Sequence, residues 1–319
     1  MSYAGSKRRS SSGSGSASKR SECENPNSKP CGSQNFMSLY IFVKLLGFGA
    51  FGVVNLMKHQ ISGKDYAVKV VKKNPESDSK TRYEIKLGMM LDPQHVCKVH
   101  GYHEDDRHFF IIMEYLKGMD LCDFIRKYPT FFMNNPQFFW IVVESILRGL
   151  AYLHSIGIAH MDIKPENVFL LLDNQGKIIG VKLIDLGLSI KVNDTTKYFR
   201  GTPTYMAPDF FSPFCKIDCS VDIWSLGITV FAMIKAYLPT EIASSKKDPK
   251  RRQDETYQKI KSLLLNESFN PLGERTSEDP NIAQIEDFIL SCLITNPEIR
   301  PTAVKLLGNI PPTTSQMSP

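Results

Sequence analysis

An acid and an amide stand five positions apart in His160-Met161-Asp162-Ile163-Lys164-Pro165-Glu166-Asn167, on a short stretch stiffened by proline. A carboxylate held in such a loop can accept the proton of an attacking hydroxyl, and an amide at that remove can help hold a divalent cation beside it. Lys164, between them, can reach an anionic group in transfer. On its own the same spacing also makes an Asx-type turn with no chemistry, so the reading depends on what the rest of the chain supplies. Three further stretches bear on it: Gly47-Phe48-Gly49-Ala50-Phe51-Gly52, a lysine at position 69 within a strand pattern, and Asp185-Leu186-Gly187.

The elements that must position these residues are legible from periodicity. Tyr40–Leu46 and Val53–His59 are rich in β-branched and aromatic residues and flank the glycines, which predicts a hairpin with a glycine-rich turn. Such a turn lets the backbone close over phosphates and present N–H groups to them. A dinucleotide fingerprint would need a helix after the turn, and here a strand follows. The next strand, Asp65–Val71, sets Lys69 between Val68 and Val70, whereas Lys72 and Lys73 read as solvated edge charges. Strands at Cys97–Tyr102 and His108–Tyr115 come next, with His100, His103 and His108 read as exposed residues near their turn. The period then becomes helical: Phe139, Val142, Val143, Ile146, Leu150 and Leu153 describe one long buried helix that ends near Gly157 and delivers the chain to Asp162. Val168–Leu172, the turn Asp173-Asn174-Gln175-Gly176 and Val181–Ile184 form a small hairpin ahead of Asp185; that turn lacks the terminal Glu of a calcium loop.

In order and spacing these motifs resemble those of eukaryotic-type protein kinases across residues 40–308. The resemblance implies an α+β fold of two lobes, a small one of antiparallel sheet plus one helix and a large, mostly helical one. It makes Gly47, Gly49 and Gly52 the loop over the phosphates of ATP, with Val54 and Ala67 roofing adenine and Phe169 flooring it. Tyr66-Ala67-Val68-Lys69 is similar to the V-A-I-K motif, so Lys69 pairs with the α/β-phosphates and Glu84, in Arg82-Tyr83-Glu84-Ile85-Lys86-Leu87, orients it. Phe109–Gly118 resembles the hinge strand: Met113 lines the back of the pocket, Glu114 and Leu116 offer backbone groups to adenine, and Asp120 reaches the ribose. Asp162 and Lys164 are then catalytic, while Asn167 and Asp185, the latter in a D-F-G-like Asp-Leu-Gly, hold Mg2+. Gly201–Asp209 resembles the segment that holds a peptide substrate, Asp209 pairing with Arg300, and Asp222-Ile223-Trp224 opens the central helix of the large lobe. Lys164 and Thr202 are of the serine/threonine kind, and the hinge and the Lys-Pro-Glu-Asn run look most like the calcium/calmodulin-dependent group.

Several positions depart from the family pattern. Gly88 replaces a bulky apolar residue one turn beyond Glu84, which predicts a loosened helix that needs an outside contact, an activating partner, to sit correctly. Met161 replaces the arginine that gathers a phosphorylated activation loop, so obligatory switching by that route is not expected, although Thr195 and Thr196 remain candidate phosphorylation sites. Asp209 replaces a glutamate. These three support the competing reading, a pseudokinase acting as a nucleotide-binding scaffold or allosteric module. The intact phosphate- and metal-facing groups support an ATP-dependent kinase acting on Ser and Thr of protein substrates, and the peptide-holding segment argues against a small-molecule kinase.

Composition bounds the rest. The chain has 319 residues, 42% hydrophobic, enough for two cored lobes. Of its net charge of +6, +4 lies within residues 1–35, where Lys7, Arg8, Arg9, Lys19, Arg20 and Lys29 face Glu22 and Glu24; the remainder is nearly balanced, which argues against nucleic acid as a partner. The Ser/Gly/basic stretch predicts a disordered leader over 1–37, followed by a small lobe at 38–116, a large lobe at 117–310 and a short tail at 311–319. A leader without an apolar core, Ser2 after Met1, and no membrane-length apolar run predict a cytoplasmic or nuclear protein. So few residues after the last helix predict neither an autoinhibitory helix nor EF-hands. Seven scattered cysteines, with only Cys215 and Cys219 close together, read as reduced thiols rather than a metal site. Lys246, Lys247, Lys250, Arg251 and Arg252 read as a solvated basic loop, the alternative being docking of an acidic partner.

Overall fold

Alternation along five strands builds the small lobe. The computed structural model describes residues 33–49, 52–192, 201–211, 217–238, 270–273 and 278–312; Thr195, Thr196, Cys215 and the basic residues at 246–252 lie outside them. Strands β1 (Tyr40–Gly49), β2 (Gly52–His59), β3 (Asp65–Lys72), β4 (Val99–Glu104) and β5 (His108–Glu114) form one antiparallel sheet in the order β1-β2-β3-β5-β4. Val68 and Ile112 pack to one side of it, and Val71, Phe109 and Ile111 to the other. Because successive side chains on a strand alternate, Lys69 shares a face with Ala67 and Val71. That face meets helix α2 (Asp78–Met90), which buries Thr81, Glu84, Ile85, Leu87 and Gly88.

The opposite face is covered by a helix where composition predicts a disordered leader: α1 (Ser33–Leu39) precedes β1, so the folded chain begins earlier than residue 38. Phe36 anchors it, fully buried and stacked 4.9 Å from Tyr40 and 4.5 Å from Phe110, with Leu39 packed against the same cluster. Three apolar residues within one short turn, Phe36, Met37 and Leu39, give no readable period beside a polar stretch, so composition alone does not predict the helix. His103 differs for the same reason: it lies within β4, 6% exposed and 5.1 Å from the Phe36 ring, not on an exposed turn.

The large lobe contains β6 (Gly118–Asp120), α3 (Leu121–Lys127), α4 (Phe131–Asn134), α5 (Pro136–Ser155), β7 (Ile158–Ala159), β8 (Val168–Leu172), β9 (Ile178–Leu183), β10 (Ile190–Lys191), α6 (Ser220–Lys235), α7 (Pro280–Cys292) and α8 (Ala303–Leu307). Pro136 opens α5 at a position where a missing N–H costs nothing, and the stripe predicted from Phe139 to Leu153 is wholly buried. α6 is buried on every side from Val221 to Ile234, as befits a helix apolar all round at the centre of a lobe. β6, β8 and β9 form a small sheet, and β7 pairs with β10; between them run the loops that carry Asp162 and Asp185. Antiparallel sheet with one large helix below the hinge strand and helices beyond it is the two-lobed α+β architecture that the resemblance implied. Among the described residues no helix is long and apolar enough to cross a membrane.

Candidate active site

The loop after β7 is fixed from beneath by a carboxylate. Asp222, in the first turn of α6 and wholly buried, accepts hydrogen bonds from the backbone N–H groups of His160 and Met161, both at 2.8 Å, and contacts His154 Nε2 at 2.9 Å. Burial alone would raise the Asp222 carboxyl; the hydrogen bond and charge of His154, the neighbouring His160 ring and the N–H of His160 outweigh it and hold the group below its ordinary value. The clamp holds Met161 at φ 71°, a left-handed conformation that a non-glycine residue adopts only where its surroundings impose it.

Above the clamp, Asp162 gathers four contacts. Its Oδ2 accepts from Asn167 Nδ2 at 2.9 Å and meets Lys164 Nζ at 2.9 Å. Its Oδ1 accepts from the N–H and hydroxyl of Thr202 at 3.1 and 2.8 Å, and Lys164 Nζ donates to the same hydroxyl at 2.7 Å. Acid, ammonium, amide and hydroxyl form one network, so the sequence separation of forty residues between Asp162 and Thr202 closes to a hydrogen bond. By sequence Thr202 is only a mark of subclass, because no local spacing pairs it with Asp162.

A second cluster stands across the cleft. Lys69 Nζ lies 2.7 Å from Glu84 Oε1 and 3.0 Å from Asp185 Oδ1, with the Lys69 and Glu84 side chains nearly inaccessible. Burial disfavours the Lys69 charge, yet the carboxylates of Glu84 and Asp185 outweigh it and hold the amine above its ordinary value. Burial lifts the Glu84 carboxyl, against the opposing pull of Lys69 and with a further push from Asp185. Asp185 is more open; burial pushes it up, but Lys69 and the Gly187 N–H at 3.2 Å hold it below the usual range. The Lys69–Glu84 pair is therefore closed, despite Gly88. Val99 packs against Gly88: a Cβ at position 88 would fall 2.4 Å from its Cγ2, so a neighbour on β4 occupies the space beside the glycine.

Between the clusters lies a cavity of about 1580 Å³ whose lining includes Gly47, Val54, Ala67, Met113, Glu114, Leu116, Asp120 and Phe169, together with Lys69, Glu84, Asp162, Lys164, Asn167 and Asp185. Gly49 and Gly52 pair across the β1–β2 turn, and Gly52 has no room for a side chain because its Cβ would sit 2.1 Å from the Val70 carbonyl oxygen. Asp120 accepts the Asp123 N–H at 2.8 Å as the N-cap of α3, and burial raises its carboxyl. The Glu114 carboxylate accepts the Lys98 N–H at 2.7 Å and is paired with Lys182, tying the hinge to both lobes.

Asp209 and Arg300 meet as expected, and the shorter acid pairs in two-pronged fashion, at 2.7 and 3.3 Å, with both side chains wholly buried. Arg300 also donates to the carbonyls of Ile294, Ser220 and Thr295 and lies 5.5 Å from the Trp224 ring centre, which satisfies the remaining guanidinium donors.

The chain matches the family model for the protein kinase domain over residues 40–309. It is 31% identical over 218 residues to a serine/threonine-protein kinase of Drosophila yakuba, covering 67% of this chain and 28% of that protein. It is 32% identical over 212 residues to the maternal embryonic leucine zipper kinase of Xenopus laevis, covering 65% and 31% respectively. The chain thus spans less than a third of the length of these curated relatives. A match that runs from the first strand to beyond the last helix, over a cleft with this geometry, places the chain in the protein kinase family.

Proposed function

We propose that this chain transfers the γ-phosphoryl group of ATP to serine and threonine hydroxyls of protein substrates. The observation that carries the reading is the meeting of two buried networks, Asp162–Lys164–Asn167–Thr202 and Lys69–Glu84–Asp185, across one cavity. Asp162 is the group that accepts the proton of the acceptor hydroxyl, Lys164 offsets charge on the group in transfer, and Lys69, oriented by Glu84, holds the α/β-phosphates. Gly47, Gly49 and Gly52 shape the loop over the phosphates, Val54, Ala67 and Phe169 enclose adenine, and the backbone of Glu114 and Leu116 with the Asp120 carboxyl fix base and ribose. Magnesium fits the donor set. The hydrogen bonds described above engage Asp185 through Oδ1 and Asn167 through its amide nitrogen, leaving one oxygen of each for a hard cation that prefers oxygen ligands. Bound there, the ion neutralises phosphate charge.

Serine and threonine specificity is supported by Lys164 and Thr202 joined in one bond and by the names of the relatives. The test is Mg-ATP-dependent transfer to a mixed Ser/Thr peptide library beside Asp185→Asn. Turnover in the range of about 1–100 per second, abolished in the variant, is the expected result; wild-type protein that binds Mg-ATP without transfer would overturn the proposal.

A further inference from the structure

Gly88 leaves α2 without the side chain that would pack it one turn beyond Glu84, and α2 carries no basic residue in its last turn. Both deficits are met by neighbours in sequence at the start of β4. Val99 closes on Gly88, and Lys98 Nζ donates to the carbonyl oxygens of Met89 at 2.8 Å and Leu91 at 3.2 Å, the last groups of the helix. A cation there engages unsatisfied carbonyls and the negative end of the helix dipole. Lys98 itself does not move freely. Its N–H donates to Glu114 Oε1 at 2.7 Å, its carbonyl accepts the Glu114 N–H at 2.9 Å, and the Glu114 carboxylate is paired with Lys182 on β9.

We infer that Lys98 is a positioning residue for phosphoryl transfer: it pins the C-terminal end of α2 to the hinge and thereby keeps Glu84 on Lys69. A mobile helix end would let Glu84 slide from Lys69 Nζ, now 2.7 Å away, and the lysine would lose the partner that aims it. The inference rests on the proposed kinase activity, and its test separates the two. Lys98→Met keeps the apolar stem and removes the donors; Lys98→Arg restores donors.

Lys98→Met should lower kcat about tenfold with KM for ATP changed less than about threefold, and Lys98→Arg should recover most of the loss. The decisive step is a cycle with Glu84→Gln. If Lys98 acts through Glu84, Lys98→Met adds nothing to Glu84→Gln; a merely structural role gives multiplicative losses and overturns the inference. Hydrogen exchange read on α2 amides needs no turnover. Faster exchange over the turns that carry Glu84 in Lys98→Met, reversed in Lys98→Arg, supports it, and unchanged exchange overturns it even if the wild-type protein transfers no phosphate.

Discussion

At the scale of single residues the site is governed by what each buried polar group can reach. Asp162 is almost inaccessible, and its two oxygens are shared among Asn167, Lys164 and Thr202. Asp162→Asn keeps the shape and removes the base proposed above, so kcat should fall by about 10²–10⁴ while nucleotide affinity, read by ligand-induced thermal shift, is kept. Thr202→Val removes the one hydroxyl that both Asp162 and Lys164 use. Steady-state kinetics should show kcat lowered about tenfold with little change in KM for ATP, because Thr202 touches Asp162 and Lys164 and not Lys69.

At the scale of elements, α2 and β4 have traded volume. The sequence alone made Gly88 a defect, since a glycine in a helix weakens it and an expected apolar residue is missing. In the fold the missing side chain is replaced from across the interface by Val99. Gly88→Leu should therefore destabilise the protein by about 1–3 kcal/mol in chemical denaturation, the cost of overpacking. Combining it with Val99→Ala should recover most of that loss, and two losses that simply add would contradict the packing described. Helix α1 makes a related point: Phe36→Ala should cost about 3–5 kcal/mol, a large effect from a segment that composition assigns to a tail.

At the scale of the molecule, two buried acids hold the large lobe to the cleft. Arg300→Met would leave the wholly buried Asp209 carboxylate without its ion-pair partner, and the expected loss is about 3–5 kcal/mol of unfolding free energy. Asp222 supplies a pH dependence. Its folded pKa lies below the ordinary carboxylate value, so its contribution is fully present above that value, near about 3.9, and is lost as pH falls through the depressed one. Stability should thus be insensitive to this group through the neutral range and decline on the acid side. Asp222→Asn, measured by urea unfolding from pH 7 downward, should start less stable and show a flatter acid limb. The partners that set the shift are His154 on α5 and His160 with its N–H on the loop after β7, so both histidines belong in the comparison.

Local pattern was enough to specify most of the strands, the long α5 stripe and the order of the chemistry-bearing motifs, because period, glycine turns and short fixed spacings are properties of neighbours along the chain. It also named both partners of the Lys69–Glu84 and Asp209–Arg300 pairs, but only through likeness to a family, since nothing at a sequence separation of 15 or 91 specifies a contact. What the tertiary structure alone decided is who fills and who satisfies. Val99 occupies the space at Gly88, Lys98 completes the end of α2, Thr202 joins Asp162, Asp222 holds Met161 in a left-handed turn, and Phe36 draws α1 onto the sheet. Each is a contact between distant or differently oriented segments, set by close packing and by the need of every buried polar group for a partner, and neither requirement leaves a periodic trace in the sequence.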